Sequence, residues 1–163
     1  MAIVNNVTRL LDQRHIEYKA FELPAEKLGA RETAVLLQVD LAVVFKTIVV
    51  TRDKPAKPLL VVVPGNSVVD LKLVAAAVGE KKVYLPTERE AETFTGLQAG
   101  GISPLALINK GFRVLIDASA RDYPQIHVSG GQRGLNVKLS LADLVKLTNA
   151  QLAPVSKPEQ EPA

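Results

Sequence analysis

The segment LAVVFKTIVV, residues 41–50, sets a single ammonium in a run that is nearly all apolar and rich in β-branched residues. That composition belongs to a strand inside a sheet. Side chains alternate between the faces of a strand, so Lys46 shares its face with Val44, Ile48 and Val50. Lysine is almost never fully buried without a partner. One reading is an edge-strand lysine whose ammonium stays in water. The other is a rigidly mounted cation facing a cavity. There it can bind an anion, stabilise a developing negative charge or, deprotonated, act as a base.

Two glycine-rich segments could supply the rest of a site. In GLQAGGISPL, residues 96–105, Gly100 and Gly101 allow backbone conformations closed to other residues and leave amides unshielded. Ser103 followed by Pro104 is the signature of a helix start. With Ile102 between them, these residues can offer N–H groups to a carbonyl oxygen, an oxyanion or a phosphate. The plainer alternative is a loop that needs flexibility. The segment matches neither the dinucleotide fingerprint nor the phosphate loop of nucleoside triphosphatases. In SGGQRG, residues 129–134, Ser129 and Arg133 supply a hydroxyl and a fixed cation beside Gly130, although a hairpin turn also explains the glycines. His127 lies two residues before Ser129 on the same predicted face. No acid is marked out to orient it and no nucleophile elbow surrounds the serine, so no Ser–His pair is assigned. His127 is read as a partly exposed strand residue and His15 as a helix-surface one.

These groups depend on the elements that carry them. Asn5 or Asn6 caps a first helix with Val7, Leu10 and Leu11 at helical spacing. Tyr18 to Glu22 predicts a strand and Arg31 to Val39 a helix. The strand of Lys46 ends at the surface turn TRDKPAKP and pairs antiparallel with Leu59 to Val63, which is apolar on both faces and therefore central. Asp70 caps LKLVAAAV, and Gly79 ends it. Val83 to Leu85 is a brief strand. Thr87 and Glu90 form a capping box for a helix ending at Gly96. Arg113 to Asp117, Ile126 to Val128 and LNVKL are strands, and Ser140 with Asp143 opens the last helix. From Gln151 onward, three prolines and several charges predict a disordered tail over 151–163. This irregular order predicts one α+β domain over residues 1–150, not a doubly wound sheet.

Composition narrows the chemistry. Of 163 residues, 47% are hydrophobic, enough for a core without staples. The absence of cysteine removes disulfides, thiolate zinc sites and cysteine nucleophiles, and two histidines argue against a histidine-rich metal centre. No metal or cofactor is expected. The amino-terminal MAIVNNVTRLLDQRH lacks the plan of a signal peptide, and no apolar run approaches the ~20 residues that span a bilayer. A soluble, cytoplasmic protein without a membrane partner is expected. A net charge of +3 permits a polyanionic partner without demanding one. Aromatics, at 4%, are too scarce for a sheet that stacks several RNA bases. A nucleic acid would be gripped at a terminus or backbone.

Taken together, PAE (24–26), VFKTIVV around Lys46, DLKLVAAAVGEKKV from Asp70, TGLQAGGISPL from Thr95 and IHVSGGQRGL from Ile126 resemble the YbaK family of aminoacyl-tRNA deacylases. These are relatives of the editing domain inserted in bacterial prolyl-tRNA synthetases. The matching pieces are spread over about residues 1 to 150, and the GGISPL and VSGGQRGL forms are most similar to the free-standing Cys-tRNA(Pro) deacylases. The resemblance implies a mixed, mostly antiparallel curved sheet flanked by helices. It implies that Lys46 is the essential lysine, and that Gly100 to Pro104 hold the aminoacyl ester. Ser129, Gly130, Arg133 and Asn136 would line the same pocket. Asn136 stands where similar proteins often carry an aspartate.

The implied reaction is trans-editing of Cys-tRNA(Pro), with the substrate's own thiol attacking its carbonyl and leaving as a cyclic thioester. Pocket size discriminates small side chains by only ~1–3 kcal/mol, so a second site that destroys the wrong ester is useful to a prolyl-tRNA synthetase. The implied partners are the acceptor end of the aminoacyl-tRNA and prolyl-tRNA synthetase, with the protein a monomer. The alternatives are another mischarged tRNA, such as Ala-tRNA(Pro), and a non-catalytic module that docks on a tRNA or a synthetase.

Overall fold

The computed structural model describes residues 3–53 and 55–160. In chain order the elements are α1 (Asn6–Gln13), β1 (Tyr18–Glu22), α2 (Ala30–Leu37), β2 (Phe45–Arg52), β3 (Leu59–Pro64), β4 (Ser67–Val69), α3 (Leu71–Val78) and β5 (Val83–Tyr84). They continue with α4 (Glu88–Thr95), β6 (Arg113–Asp117), β7 (Gln125–Ser129), β8 (Leu135–Ser140), α5 (Leu141–Thr148), β9 (Gln151–Ala153) and β10 (Ser156–Pro158).

The frame is a five-stranded mixed sheet in the order β5-β2-β3-β6-β9. Its β3–β6 and β6–β9 pairs are parallel and the others antiparallel. β3 is central because all six of its residues are buried. Leu60 and Val62 pack with Leu11, Ile116 and Leu144 on one face. Leu59, Val61 and Val63 pack with Val74 and Ala75 of α3 on the other. Each buried Val, Leu or Ile side chain contributes roughly 1.5–3 kcal/mol by leaving water, which holds β2 rigidly at its side. An antiparallel three-stranded sheet, β1-β8-β7, meets the large one at a parallel bridge between Val44 and His127. The α+β fold with a mixed, mostly antiparallel sheet is thus as expected, and the sheet does not close into a barrel.

The helix ends follow local chemistry. Asn5 Oδ1 accepts from the Val7 and Thr8 amides, both at 3.0 Å. Asp70 caps α3, and Thr87 with Glu90 forms a reciprocal capping box on α4. Gly79 and Gly96 end their helices at φ 72°, a backbone state that costs glycine no Cβ clash. α2 runs from Ala30 to Leu37 instead of Arg31 to Val39, because Gln38 turns left-handed at φ 57°.

The expected disordered tail is corrected over most of its length. β9 joins β6 in parallel, and β10 pairs antiparallel with β4. Between them Val155 is fully buried; its amide donates to Asp117 Oδ1 at 2.9 Å and its carbonyl accepts from the Asp70 amide at 2.9 Å. Prolines and charges suggested disorder, but short edge strands tolerate both. Residues 161–163 of that tail, Lys54 of the TRDKPAKP turn and residues 1–2 of the amino-terminal segment lie outside the described residues.

Candidate active site

Lys46 sits near the start of β2, opposite Val63 of β3, and is half-buried. It lines a cavity of about 400 Å³ together with Gly100, Ile102, Ser129 and Asn136. That volume is in the range of small-molecule sites. Burial pushes the Lys46 pKa below its ordinary value; the Glu159 carboxylate opposes the shift and the Arg31 guanidinium adds to it. Glu159 is itself paired with Arg31 at 2.7 Å, so β10 brings a carboxylate toward the lysine.

Five of the expected site residues lie around the cavity without lining it, and they support those that do. Gly101 donates its amide to Gln98 O at 2.8 Å, and a Cβ there would stand 2.9 Å from the Gln132 backbone. Glycine is thus required where the two glycine-rich segments touch. Ser103 is fully buried, and its Oγ accepts from the Leu105 amide to cap the 3₁₀ turn that Pro104 begins. A Cβ on Gly130 would meet Leu135 Cγ at 2.5 Å. Arg133, expected to line the pocket, stands beside it and donates through Nε to Ala99 O at 2.8 Å. The three hydrogen bonds and the close approaches at Gly101 and Gly130 hold the loop of Gly100 and Ile102 against the 129–134 turn. The Ile102 amide has no acceptor among the described residues. Gly100, at φ 88°, has the left-handed backbone that favours glycine.

Beneath Ser129 lies a buried polar pair. His127 Nδ1 is 2.8 Å from Asn136 Oδ1, and the His127 ring lies 5.5 Å from the Phe21 ring. The amide oxygen can only accept, so Nδ1 carries the proton. His127 is 3% exposed, which corrects the expectation of a partly exposed residue. Burial lowers its pKa, the Asn136 bond opposes that, and Lys138 adds to it. His127 is therefore a neutral support, and it makes no hydrogen bond to Ser129. Ser129 Oγ accepts from the Gly131 amide at 3.3 Å. His15 is exposed but lies just past α1, in a left-handed turn at φ 54°.

Residues 23–33 and the start of α4 form the opposite wall, which sequence reasoning did not assign. Glu26, Lys27, Leu28 and Thr33 line the cavity from one side, and Leu85 and Glu88 from the other. Two of these lining residues, Lys27 and Glu88, form an ion pair at 2.6 Å. Glu26 is left as the carboxylate lining the cavity without an ion-pair partner among the described residues. The PAE motif contained this acid, but nothing in its spacing set it apart. Thr47 also lines the cavity, and its Oγ1 is buried with no hydrogen-bond partner among the described residues.

A lysine, a loop residue whose amide has no acceptor among the described residues, and a serine lining one cavity suit the polarisation and cleavage of an ester. Residues 25–147 match the model of the aminoacyl-tRNA editing domain family. The chain belongs to that family. The editing domain so defined contains Lys46, both glycine-rich segments and Asn136. A protein of Enterococcus faecalis named as a Cys-tRNA(Pro)/Cys-tRNA(Cys) deacylase, EbsC, is 34% identical over 156 residues, covering 94% of each chain. A crystal structure described as a trans-editing enzyme for prolyl-tRNA synthetase superposes with a TM-score of 0.79 at 25% identity, covering 96% of this chain and 99% of that one. The fold is also that of the hypothetical protein APE2540, with a TM-score of 0.85 at 24% identity over 94% of this chain and all of the other. Among the described residues no helix of the editing domain is long and apolar enough to cross a membrane.

Proposed function

We propose that this protein is a trans-acting deacylase that cleaves the ester of mischarged Cys-tRNA(Pro). The observation that carries the reading is the convergence of Lys46, Gly100, Ile102 and Ser129 on one small cavity. EbsC, named for Cys-tRNA deacylation, supports the substrate class.

An aminoacyl ester is already activated, so positioning and stabilisation of the oxyanion suffice. The chain has no cysteine, and its histidine near Ser129 is committed to Asn136. The nucleophile is the substrate's thiol. Its sulfur forms a bond to the carbonyl carbon, the bond to the ribose oxygen breaks, and the thiol proton leaves with that oxygen. The product is a cyclic thioester that water opens. Lys46 supplies positive charge to the ester or ribose oxygen, and the free Ile102 amide holds the carbonyl oxygen as it becomes an oxyanion. With a neutral amide at Asn136, the substrate ammonium pairs with Glu26.

The test offers Cys-tRNA(Pro) and Ala-tRNA(Pro) to the wild type and to Lys46→Ala. Rapid loss of the cysteinyl ester in the wild type and its near-abolition in the variant are expected. Background loss of both esters in the wild type would sink the enzyme, and equal rates in the two proteins would remove Lys46 from it. Ser-tRNA(Pro), with a hydroxyl in place of the thiol, should persist; its equally fast loss would rule out thiol attack. A covalent acyl-enzyme in mass spectra of the quenched reaction would make Lys46 the nucleophile. Selection of tRNA(Pro) falls to prolyl-tRNA synthetase, so adding it should sharpen discrimination between Cys-tRNA(Pro) and Cys-tRNA(Cys).

A further inference from the structure

A second cavity, of about 710 Å³, opens on the other side of Lys46. Lys46, Ile48 and Leu85 line both cavities, so the two meet along one face of β2. The second is bounded by β4, the start of α3 and β10, and it takes Lys72 from α3 and Lys157 from β10. Lys157 stands opposite Val68 in the β10–β4 ladder. The one carboxylate that lines it, Asp70, is committed to capping α3, accepting from the Lys72 and Leu73 amides at 3.0 and 3.2 Å. Three lysines therefore line a cavity whose single acid among the described residues neutralises a helix terminus. Nearby, the Arg31 guanidinium and the Glu159 carboxylate offset one another as an ion pair.

We propose that this cavity seats the single-stranded 3′ end of an RNA, with Lys72 and Lys157 on its phosphates and Lys46 at the junction with the aminoacyl cavity. The proposal rests on the deacylase reading. An ester held in the first cavity is attached to a ribose, and the chain beyond that ribose is a phosphodiester, which must leave past Lys46. Ile48, Val69 and Leu71 give the cavity apolar walls for sugar and base faces. Among the described residues no aromatic ring lines it, so affinity comes from charge and the base goes unread.

The experiment compares wild type, Lys72→Gln/Lys157→Gln, and a control of equal charge, Lys19→Gln/Lys146→Gln, whose residues lie on β1 and α5. Binding of a short fluorescent oligoribonucleotide with a free 3′ end is followed by anisotropy across a salt series. Each lost phosphate contact on a single strand removes about 0.7 from the slope of log affinity against log salt, so the double variant should lose about 1.4. Affinity at low salt should fall about tenfold, and KM for charged tRNA should rise with it. A slope and affinity equal to those of the control overturn the proposal. So does unchanged RNA binding accompanied by lost binding of prolyl-tRNA synthetase, which would make the cavity a protein-docking surface. Oligonucleotide binding needs no ester cleavage, so failure of the deacylase reading shows separately, as an inactive wild type that still binds RNA.

Discussion

The Arg133 guanidinium donates through Nε to the carbonyl oxygen of Ala99 at 2.8 Å, fastening the 129–134 turn to the loop that carries Gly100 and Ile102. Asn5 holds the same turn from the other side, its Nδ2 donating to Gly130 O and Gln132 Oε1 at 3.0 Å each. Arg133→Ala should leave the fold intact at a cost of about 1 kcal/mol. It should lower kcat on the order of 10²-fold, because a loop displaced by an ångström loses its alignment with the ester. Arg133→Lys should not restore the rate, since an ammonium does not reproduce the fixed Nε donor. Single-turnover deacylation beside thermal melting checks both.

Burial depresses the Lys46 pKa, and this fixes the sign of two pH effects. Between the depressed folded value and the ordinary 10.5, the unfolded chain holds a proton that the native chain has shed, so this lysine makes stability rise with pH there. Activity that needs the ammonium should fall over the same window, below the pH at which an exposed lysine titrates. Lys46→Met should abolish ester cleavage without lowering the melting temperature at pH 7. A rate that climbs through this window would show Lys46 acting as a base.

Asn136→Asp should raise the His127 pKa by placing a carboxylate at its Nδ1. In the native protein that pKa is depressed, so His127 costs stability as pH falls below about 6.5, where the unfolded imidazole takes up a proton first. The aspartate should shrink that acid-side loss. Imidazole NMR titration and melting at pH 5 and 7 measure the two effects.

Thr47→Val should stabilise the protein by about 1 kcal/mol, because a buried hydroxyl without a partner is replaced by a methyl group. A melting temperature about 2–4 °C higher is expected for a chain of this size. Unchanged or lower stability would mean that the hydroxyl has a partner in solution.

What could be read in the sequence was what is decided locally. Asp70, Gly79, Thr87 and Gly96 bound their helices as expected, because caps depend on neighbours a few residues away. Lys46 stood out because a strand's alternation exposes a misplaced charge. The bond of Arg133 to Ala99 was not legible because the partner lies 34 residues away and is brought near by folding alone. His127 was taken for a partly exposed residue because its partner sits on the adjacent strand, in a pairing that the sequence pattern does not disclose. The wall at residues 23–33 has no regular periodicity before α2, so nothing marked Glu26 or Lys27 as facing the cavity.

The seating of β9 and β10 also has a consequence for biosynthesis. Domains are built amino-terminal part first as the chain emerges from the ribosome. The parallel partner of β6, the Val155 bond to Asp117 and the Glu159 pair with Arg31 all wait for residues synthesised after every other part of the domain. Lys46 therefore gains its full electrostatic setting only after Glu159 has been made. A nascent copy carries both glycine-rich segments before it has the counter-charge beside its lysine.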